Sequence, residues 1–294
     1  MSVSDAAALT AALCVALSNL IAPAAIRHFG PVVFNCWRLS AALLALLLLT
    51  TLRGAWTMFS LADLAALVIS SVVGIVIGDS AIYAAMQRLG PRRAAVLYAT
   101  NAPFAATLGF LFLGEKLPTL KVVGIALVVV GVWIAIAYRE NNSVGHWEEI
   151  RGRPIVGAAF GLTGGFSAAL AAFIARPVMA AGVDPIAAAS VRGAVGLLGL
   201  ALLARLQGAP PVELAEARML TRAALSGILG MAAGMTLVLF ALAMRPTGIV
   251  TTLASTTPVL LLPLLLVSRK RPAPQAWFGA VLTVAGIAAL ADLF

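Results

Sequence analysis

Three residues able to bind or carry charge lie inside otherwise apolar stretches of this chain. Arg38 and Asp79 each fall about two turns from the same end of their predicted helices, and Tyr83 follows Asp79 by one turn on the same face. Ionisable side chains are costly in a bilayer, so they pair with one another or serve a function there. The spacing predicts an Arg38–Asp79 salt bridge. Its role is either functional, with Asp79 carrying a proton and Arg38 gripping a carboxylate or phosphate, or structural, holding two helices together.

A second arginine, Arg192, occupies the position equivalent to Arg38 in an internal repeat. Gly234 or Met235 stands where Asp79 stands in the first copy, so symmetry gives Arg192 no acidic partner. Two interpretations remain open: Arg192 anchors an anion in a cavity, or it extends to the membrane surface along its apolar stem.

Polar side chains and prolines in the same region complete the candidate site. Pro103 and Pro258 fall at matching repeat positions and predict helix kinks, whose freed carbonyls and nearby hydroxyls form a polar lining or are simply structural. Trp37, beside Arg38, is a further cavity candidate. The predicted substrate-binding residues are Asn19, Arg38, Tyr83, Tyr98, Asn101, Arg192, Ser255 and Thr256, with Asp79 for proton coupling.

The composition requires a membrane environment for the elements that carry these residues. The chain has 294 residues, of which 62% are hydrophobic and 11% charged, and its mean hydropathy is +1.05. Apolar stretches of about 20 residues, enough to cross the hydrocarbon core, recur along nearly the whole length. We therefore expect an all-α polytopic membrane protein of the inner (cytoplasmic) membrane, without a sizeable soluble domain, and a monomer or weak homodimer.

The sequence lacks the residues that several other classes of protein require. The net charge of +9 lies mostly in short loops, where cations meet lipid headgroups, so we expect no nucleic-acid partner. Cys14 and Cys36 lie in apolar segments, and both histidines, His28 and His146, lie in loops, so no metal site, disulfide or intramembrane catalytic pair is predicted. No nucleotide-binding motif is present. The expectation is a protein that is not an enzyme and needs no cofactor.

Proline, glycine and charge clusters divide the chain into ten predicted spans. These lie at roughly 6–26, 32–52, 61–86, 93–113, 119–138, 154–175, 185–206, 220–244, 247–268 and 274–294.

The ten spans form two copies of one unit. The segment from Pro31 repeats from Pro185, and the segment from Gly114 aligns without gaps on that from Arg269. The predicted organisation is a first repeat at 1–138, a connecting loop at 139–153 and a second repeat at 154–294. Because five spans is an odd number, the second copy must be inverted across the membrane, and inverted repeats usually enclose a substrate site near the midplane.

Glycine pairs within the spans predict close helix packing. These are Gly74 with Gly78, Gly230 with Gly234, and, in the spans that close the repeats, Gly124, Gly131, Gly279 and Gly286.

The loop charges are unequal on the two sides of the predicted bundle. We call face A the side of the loops after spans 1, 3, 5, 7 and 9, and face B the opposite side. The Lys and Arg residues of face B are Arg53, Lys116, Lys121, Arg176 and Arg245. Those of face A are Arg27, Arg88, Arg92, Arg93, Arg139, Arg151, Arg153, Arg205, Arg218, Arg222, Arg269, Lys270 and Arg271. The positive-inside rule then makes face A cytoplasmic.

Three stretches resemble a known family: FNCWRLSAALLALLL at 34–48, the segment 80–135, and the echoes of both in the second half. The apolar span that ends in Gly114, Glu115 and Lys116, followed by a glycine-spaced span, is typical of the EamA-type branch of the drug/metabolite transporter superfamily. In the second copy, Arg269, Lys270 and Arg271 replace that motif. The tryptophan-glycine pair often found in the first span of the family is also missing, with Ser18 and Asn19 in that region.

The resemblance implies a transporter similar to bacterial aromatic amino-acid exporters. It also implies cytoplasmic termini, against the charge count, which leaves the orientation open. The resulting prediction is a secondary exporter of small zwitterionic metabolites, amino acids above all, working by alternating access around a central cavity. The alternatives are a permease for organic phosphates or other anionic metabolites, and a membrane scaffold that does not transport.

Overall fold

The computed structural model describes residues 2–54, 56, 59–89, 91–116, 118–137, 153–206, 208, 216–257, 259–260 and 274–290, and every regular element among them is a helix. In the first half these are α1 (Val3–Phe29), α2 (Pro31–Leu52), α3 (Leu61–Ser71), the π-helical segment π1 (Val72–Asp79), α4 (Ser80–Leu89), α5 (Pro91–Tyr98), α6 (Asn101–Phe112) and α7 (Thr119–Ala137). In the second half they are α8 (Pro154–Ala180), α9 (Pro185–Leu206), α10 (Ala217–Gly227), π2 (Ile228–Met235), α11 (Thr236–Met244), α12 (Thr247–Ala254) and α13 (Pro274–Leu290).

Local sequence signals set where several of these helices begin. Pro31 is the first residue of α2, where its missing N–H has no helical partner to lose, and Gly30 before it adopts φ 74°. Ser2 and Asp5 form a capping box at the start of α1. Asp184 accepts the N–H groups of Ile186 and Ala187 at 2.9 Å and so caps α9.

Six continuous helical stretches of the described chain are long and apolar enough to cross a membrane. They are Val3–Ala22, Pro31–Leu52, Leu61–Leu89, Pro154–Ala180, Pro185–Leu206 and Ala217–Met244. Three apolar helices are shorter, at Asn101–Phe112, Thr119–Ile134 and Trp277–Leu290. The predicted ninth span falls partly on 261–273, which lies outside the described residues, so the number of ten spans stays a prediction.

The third and eighth predicted spans each contain a π-helical segment where we expected plain α-helix. Residues 72–79 and 228–235 are both π-helical, eight residues each, and they occupy equivalent positions in the two halves. This register pairs Asp79 with Met235 and Gly74 with Gly230. Single π-helical turns occur often at functional sites, because the extra residue per turn redirects the side chains around it.

The fourth predicted span is divided by a turn at Ala99 and Thr100, which separates α5 from α6. Pro103 follows in the first turn of α6, so its ring faces the carbonyl of Ala99, four residues earlier. A matching turn at Ser255 and Thr256 ends α12, and Pro258 itself lies outside the described residues.

Two pairs of helices that are equivalent in the repeats pack against each other in antiparallel fashion. On α7 and α13, a Cβ added to Gly124 would lie 3.1 Å from the carbonyl oxygen of Gly286, and one added to Gly131 would lie 2.6 Å from that of Gly279. The contacts between α2 and α9 also run in opposite directions, since Thr50 meets Ser190 and Leu39 meets Gly196. The close packing predicted for the four glycines of the closing spans is confirmed.

The remaining contacts interleave the two halves of the chain. Helix α1 packs on α10, π2, α11 and α12 of the second half, and α8 packs reciprocally on α3, π1, α4, α5 and α6 of the first. The glycines predicted to allow close approach lie in these contacts: a Cβ on Gly78 would be 3.1 Å from Ser167, and one on Gly234 would be 3.2 Å from Val15. Neither half therefore forms its core alone, and polar residues of both halves are brought to the same interior.

Candidate functional site

The predicted Arg38–Asp79 pair lies inside the bundle, with a hydroxyl and an amide as additional partners. Arg38 Nη1 donates a hydrogen bond of 2.6 Å to the hydroxyl of Tyr83, and the same nitrogen lies 3.9 Å from Asp79 Oδ2. Asn35, one turn before Arg38, donates from Nδ2 to Asp79 Oδ2 at 3.3 Å. Asn35 was not predicted from the sequence, although its position three residues before Arg38 places both side chains on one helix face.

Arg192 lies within the bundle and does not extend to the membrane surface. A Cβ on Gly74 would come 3.3 Å from its Nη2, and only 8% of the residue is exposed. Among the described residues its guanidinium forms no ion pair with Asp79, whose carboxylate pairs with Arg38.

The two arginines make equivalent contacts with the two π segments. The Arg192 guanidinium lies over Gly74 of π1, and a Cβ on Gly230 of π2 would come 2.6 Å from Arg38 Nη2. Each guanidinium thus occupies space opened by a glycine in the other half of the chain. The role of these glycines is wider than helix packing, because any side chain there would displace an arginine.

Several polar atoms of this cluster are buried and lack a hydrogen-bond partner among the described residues. They are Nε of Arg38, Nε of Arg192, Nε1 of Trp37 and Oδ1 of Asn35. Unpaired buried donors cost free energy. Three of the four are donors, so the cluster offers unused hydrogen-bonding capacity to an acceptor such as a carboxylate or phosphate.

Accessible surface inside the bundle adjoins these donors. The Asp79 side chain is 23% exposed and Tyr98 is 36% exposed. Asn19 is exposed as well, although Ala12 and Ala22, on the same face of α1, are 1% and 5% exposed. Asn19 therefore points to the packed side of its helix, and its exposure marks open space in the protein interior.

The polar residues near the two helix breaks join the halves on the other side of this space. Ser255 donates a hydrogen bond of 2.7 Å to Asn101 Oδ1, and the Asn101 side chain also interacts with the Tyr98 hydroxyl. Thr256 is fully buried and donates to the carbonyl of Leu253 in its own chain segment. Of the predicted substrate-binding residues, Thr256 has its hydroxyl occupied by Leu253, and Asn19 forms no side-chain hydrogen bond with the described residues of the set.

Two acidic residues outside the predicted site also bridge the halves. The buried carboxylate of Asp5 accepts two hydrogen bonds of 2.9 Å from Arg245. Glu115, from the GEK motif, accepts the backbone N–H and the hydroxyl of Thr247. Neither contact was predicted from the sequence, in which Arg245 counts as a loop charge and Glu115 as part of a family motif.

No group of His, Cys, Asp and Glu residues suited to holding a metal ion occurs in the described parts of the chain. The site offers instead two guanidinium groups, one carboxylate, hydroxyls and amides around an accessible space. Such a set binds small polar molecules through charge and hydrogen bonds.

Comparison with known proteins identifies the class to which this fold and site belong. The model of the EamA-like transporter family matches the chain twice, at residues 3–137 and 155–291. The chain belongs to the EamA-like transporter family. It is therefore a multi-pass membrane transporter built from two family repeats.

Two further comparisons bear on the fold. A solved crystal structure, described only as that of a protein, superposes with a TM-score of 0.79 at 17% sequence identity. The match covers 99% of this chain and 97% of the other. At that identity the likeness shows the fold alone. Comparison with curated proteins gives no match.

Proposed function

We propose that this transporter is a secondary carrier that exports small zwitterionic metabolites, above all amino acids, by alternating access. Its architecture is ten spans in two inverted five-helix repeats around a central cavity. Antiparallel packing of α7 with α13 and of α2 with α9 supports this architecture, because equivalent helices of inverted repeats must run in opposite directions. The protein functions in the inner (cytoplasmic) membrane as a monomer or weak homodimer and needs no cofactor.

The observation that carries the substrate proposal is a pair of buried arginines, of which only Arg38 has a carboxylate within 4 Å among the described residues, that of Asp79. Arg38 is already bonded to Tyr83 and lies 3.9 Å from Asp79, whereas the Arg192 guanidinium has no hydrogen bond within the described chain. Arg192 is therefore the group available to a substrate carboxylate. Asp79, partly accessible, is available to the substrate ammonium group. A zwitterion satisfies both and leaves the charge of the site unchanged.

Asp79 also carries the proton in this proposal. A carboxylate that is paired with Arg38 and borders an accessible space can exchange its partner for a proton or a substrate amine. Protonation on one side of the membrane and release on the other would couple export to the proton gradient. Tyr98, Asn101 and Ser255 line the opposite wall and orient the rest of the substrate.

The test is counterflow in proteoliposomes, in which unlabelled internal substrate drives uptake of labelled substrate only through a carrier. A resistance screen first selects the amino acids or analogues whose toxicity the protein relieves. We expect saturable counterflow, its loss in Arg192→Gln, and little change in Arg205→Gln, which removes an exposed arginine near the end of the same helix. Asp79→Asn should remove the response of transport to a pH gradient and, because Asp79 also receives the substrate ammonium group, weaken the apparent affinity of the remaining counterflow. Absent counterflow for every selected compound contradicts the proposal.

A second candidate is a permease for organic phosphates or other anionic metabolites. The unpartnered Nε atoms of Arg38 and Arg192 favour it, because two guanidinium groups can clamp one phosphate. Competition separates the candidates: phosphate esters would inhibit counterflow of labelled substrate in this case, and amino acids would not. A scaffold would show neither exchange nor competition.

A further inference from the structure

Glu115 closes one end of the bundle by capping a helix of the opposite half. The N–H of Thr247 lies 2.9 Å from both carboxylate oxygens, and the Thr247 hydroxyl donates to one of them at 2.9 Å. Arg176 Nε, from α8, lies 3.7 Å from the same carboxylate. The Glu115 side chain is only 8% exposed and contacts Gly109. One acidic side chain thus joins the loop after α6 to α8 and to the start of α12.

A second carboxylate joins the halves at the same end. Asp5, fully buried near the start of α1, accepts from Nε and Nη2 of Arg245 at 2.9 Å each, the bidentate geometry that makes such pairs strong. Ser2 holds the carboxylate in place by donating its backbone N–H at 2.9 Å. The four residues of these contacts lie at helix ends on the face B side of the bundle: Asp5, Arg245, Glu115 and Thr247.

At the opposite end, the described residues include no carboxylate that bridges the halves as Asp5 and Glu115 do. Helices α4 and α8 are the repeat equivalents of α11 and α1, which Arg245 and Asp5 join. Between α4 and α8 the guanidinium of Arg88 lies 5.1 Å from the ring centre of Phe160. Such a cation–π contact is weaker than a buried bidentate ion pair. In the aligned second repeat, Lys270 stands in the sequence where Glu115 stands in the first. The accessible residues Asp79, Tyr98 and Asn19 lie in the face A half of their spans.

We propose that Asp5 and Glu115 are the two latches of a gate that seals face B, so that the resting carrier opens toward face A. This rests on the alternating access proposed above and assigns the residues that hold one of its two states. Opening face B requires both carboxylates to leave partners in the other half. The contacts of Asp5 and Glu115 favour the state that is closed at face B, since only contacts that differ between two states can bias their equilibrium.

The Glu115 latch reaches the candidate site through α12. Thr247 begins that helix, a Cβ on Gly248 would come 2.7 Å from Ala106 of α6, and Ser255 at its far end bonds to Asn101. These three contacts hold α12 against α6 along its length, from the membrane surface at Thr247 to the cavity at Ser255. Release at Thr247 therefore allows α12 to separate from α6, which opens a path from face B to Asn101.

The test measures access from each side with single cysteine reporters and needs no substrate. Cys14 and Cys36 are first replaced by Ser. Thr251→Cys, one turn inside the Glu115 latch and 7% exposed, then reports on face B. Asn19→Cys reports on the accessible interior. Membrane-impermeant thiol reagents are applied to each side of oriented vesicles.

The perturbation is Asp5→Asn with Glu115→Gln, which keeps size and removes both charges. We expect the Thr251→Cys reporter to react from face B about tenfold faster or more, the population change that ~1.4 kcal/mol produces. The Asn19→Cys reporter should react from face A no faster than before, because a tenfold rise of a minor state removes only a small share of the major one. The matched control is Asp184→Asn, an acid on the same face that caps its own helix and bridges nothing.

Acceleration of the face B reporter alone distinguishes a gate from general loosening. If both reporters become faster, the carboxylates only hold the fold together, and if neither changes, they do not hold face B closed; either result overturns the proposal. A failure to find amino-acid counterflow leaves these accessibility results unaffected, so the gate and the substrate proposal fail separately.

Discussion

Replacing Asp79 by Asn removes the negative charge that pairs with the buried Arg38, and its effect can be worked out from the geometry. At 3.9 Å and an effective dielectric constant of ~20, the attraction between Arg38 and Asp79 is about 4 kcal/mol. Because 23% of the Asp79 side chain is accessible, water screens part of it, and we expect a coupling free energy of about 2 kcal/mol. At roughly 2–4 °C per kcal/mol, Asp79→Asn should lower the Tm by about 4–8 °C.

The assay is a double-mutant cycle on detergent-purified protein, with thermal unfolding of the wild type, Asp79→Asn, Arg38→Gln and the double variant. We expect the double variant to be more stable than the sum of the single effects predicts, by the coupling free energy, because it buries no unpaired guanidinium at this position. Asp63→Asn is the matched control: Asp63 is the N3 residue of the capping box that Ser60 begins on α3, and Asn keeps an oxygen that can accept the Ser60 N–H.

Additive single effects would refute this reasoning, since the pair would then contribute nothing to folding. A large loss of stability in Asp63→Asn would equally show that the method responds to any Asp→Asn change.

Three further outcomes are expected. Gly131→Ala places a Cβ 2.6 Å from the carbonyl oxygen of Gly279, so it should cost about 1–3 kcal/mol of stability in thermal unfolding, and an unchanged Tm would contradict the packing of α7 on α13. Lys121→Met removes a charged donor to the last carbonyls of α13 and should lower stability by about 1 kcal/mol, with faster hydrogen exchange at that helix end as the specific sign. Asn101→Ala and Ser255→Ala should show a coupling of about 1 kcal/mol in a double-mutant cycle, and additive effects would mean that their hydrogen bond does not join the halves.

The helices themselves follow from local sequence, whereas the partners of their polar groups do not. Proline at the first position and apolar runs of sufficient length predict α2 and α9 almost to the residue, and also the start of α8, which ends five residues beyond the predicted 175. The start of α1 was placed three residues late, because the capping box of Ser2 and Asp5 lies before the apolar run. Such caps extend a helix beyond its hydrophobic part.

The residues of the candidate site could be predicted from the sequence, whereas the contacts between them could not. Intramembrane charge pointed to Arg38, Asp79 and Arg192 without any structure. Repeat symmetry gave Arg192 no acidic partner and could not show that its guanidinium lies against Gly74 of the other half, because symmetry compares sequence positions and not contacts. The pairing of Asp5 with Arg245 was missed for the same reason: residues 240 positions apart meet only once α1 packs on α11.

The π-helical segments also lie beyond local prediction. The glycines of GIVIG and GMAAG predicted close approach, which the structure confirms, but a wider helical turn depends on what the backbone packs against. In both segments the first glycine faces an arginine of the other half.

The glycine-lined pairing of α7 with α13 has a consequence for biosynthesis. Helix α7 is complete in the first family repeat, yet the helix that fills its groove begins only at Pro274, after nearly all of the second repeat has been inserted. Throughout that interval a row of small residues, flanked by the buried valines 128 and 132, is open to lipid or to any neighbouring helix with a similar surface. Docking of α13 is therefore a late step of assembly, and a nascent chain delayed before it is the species most exposed to pairing with the wrong helix.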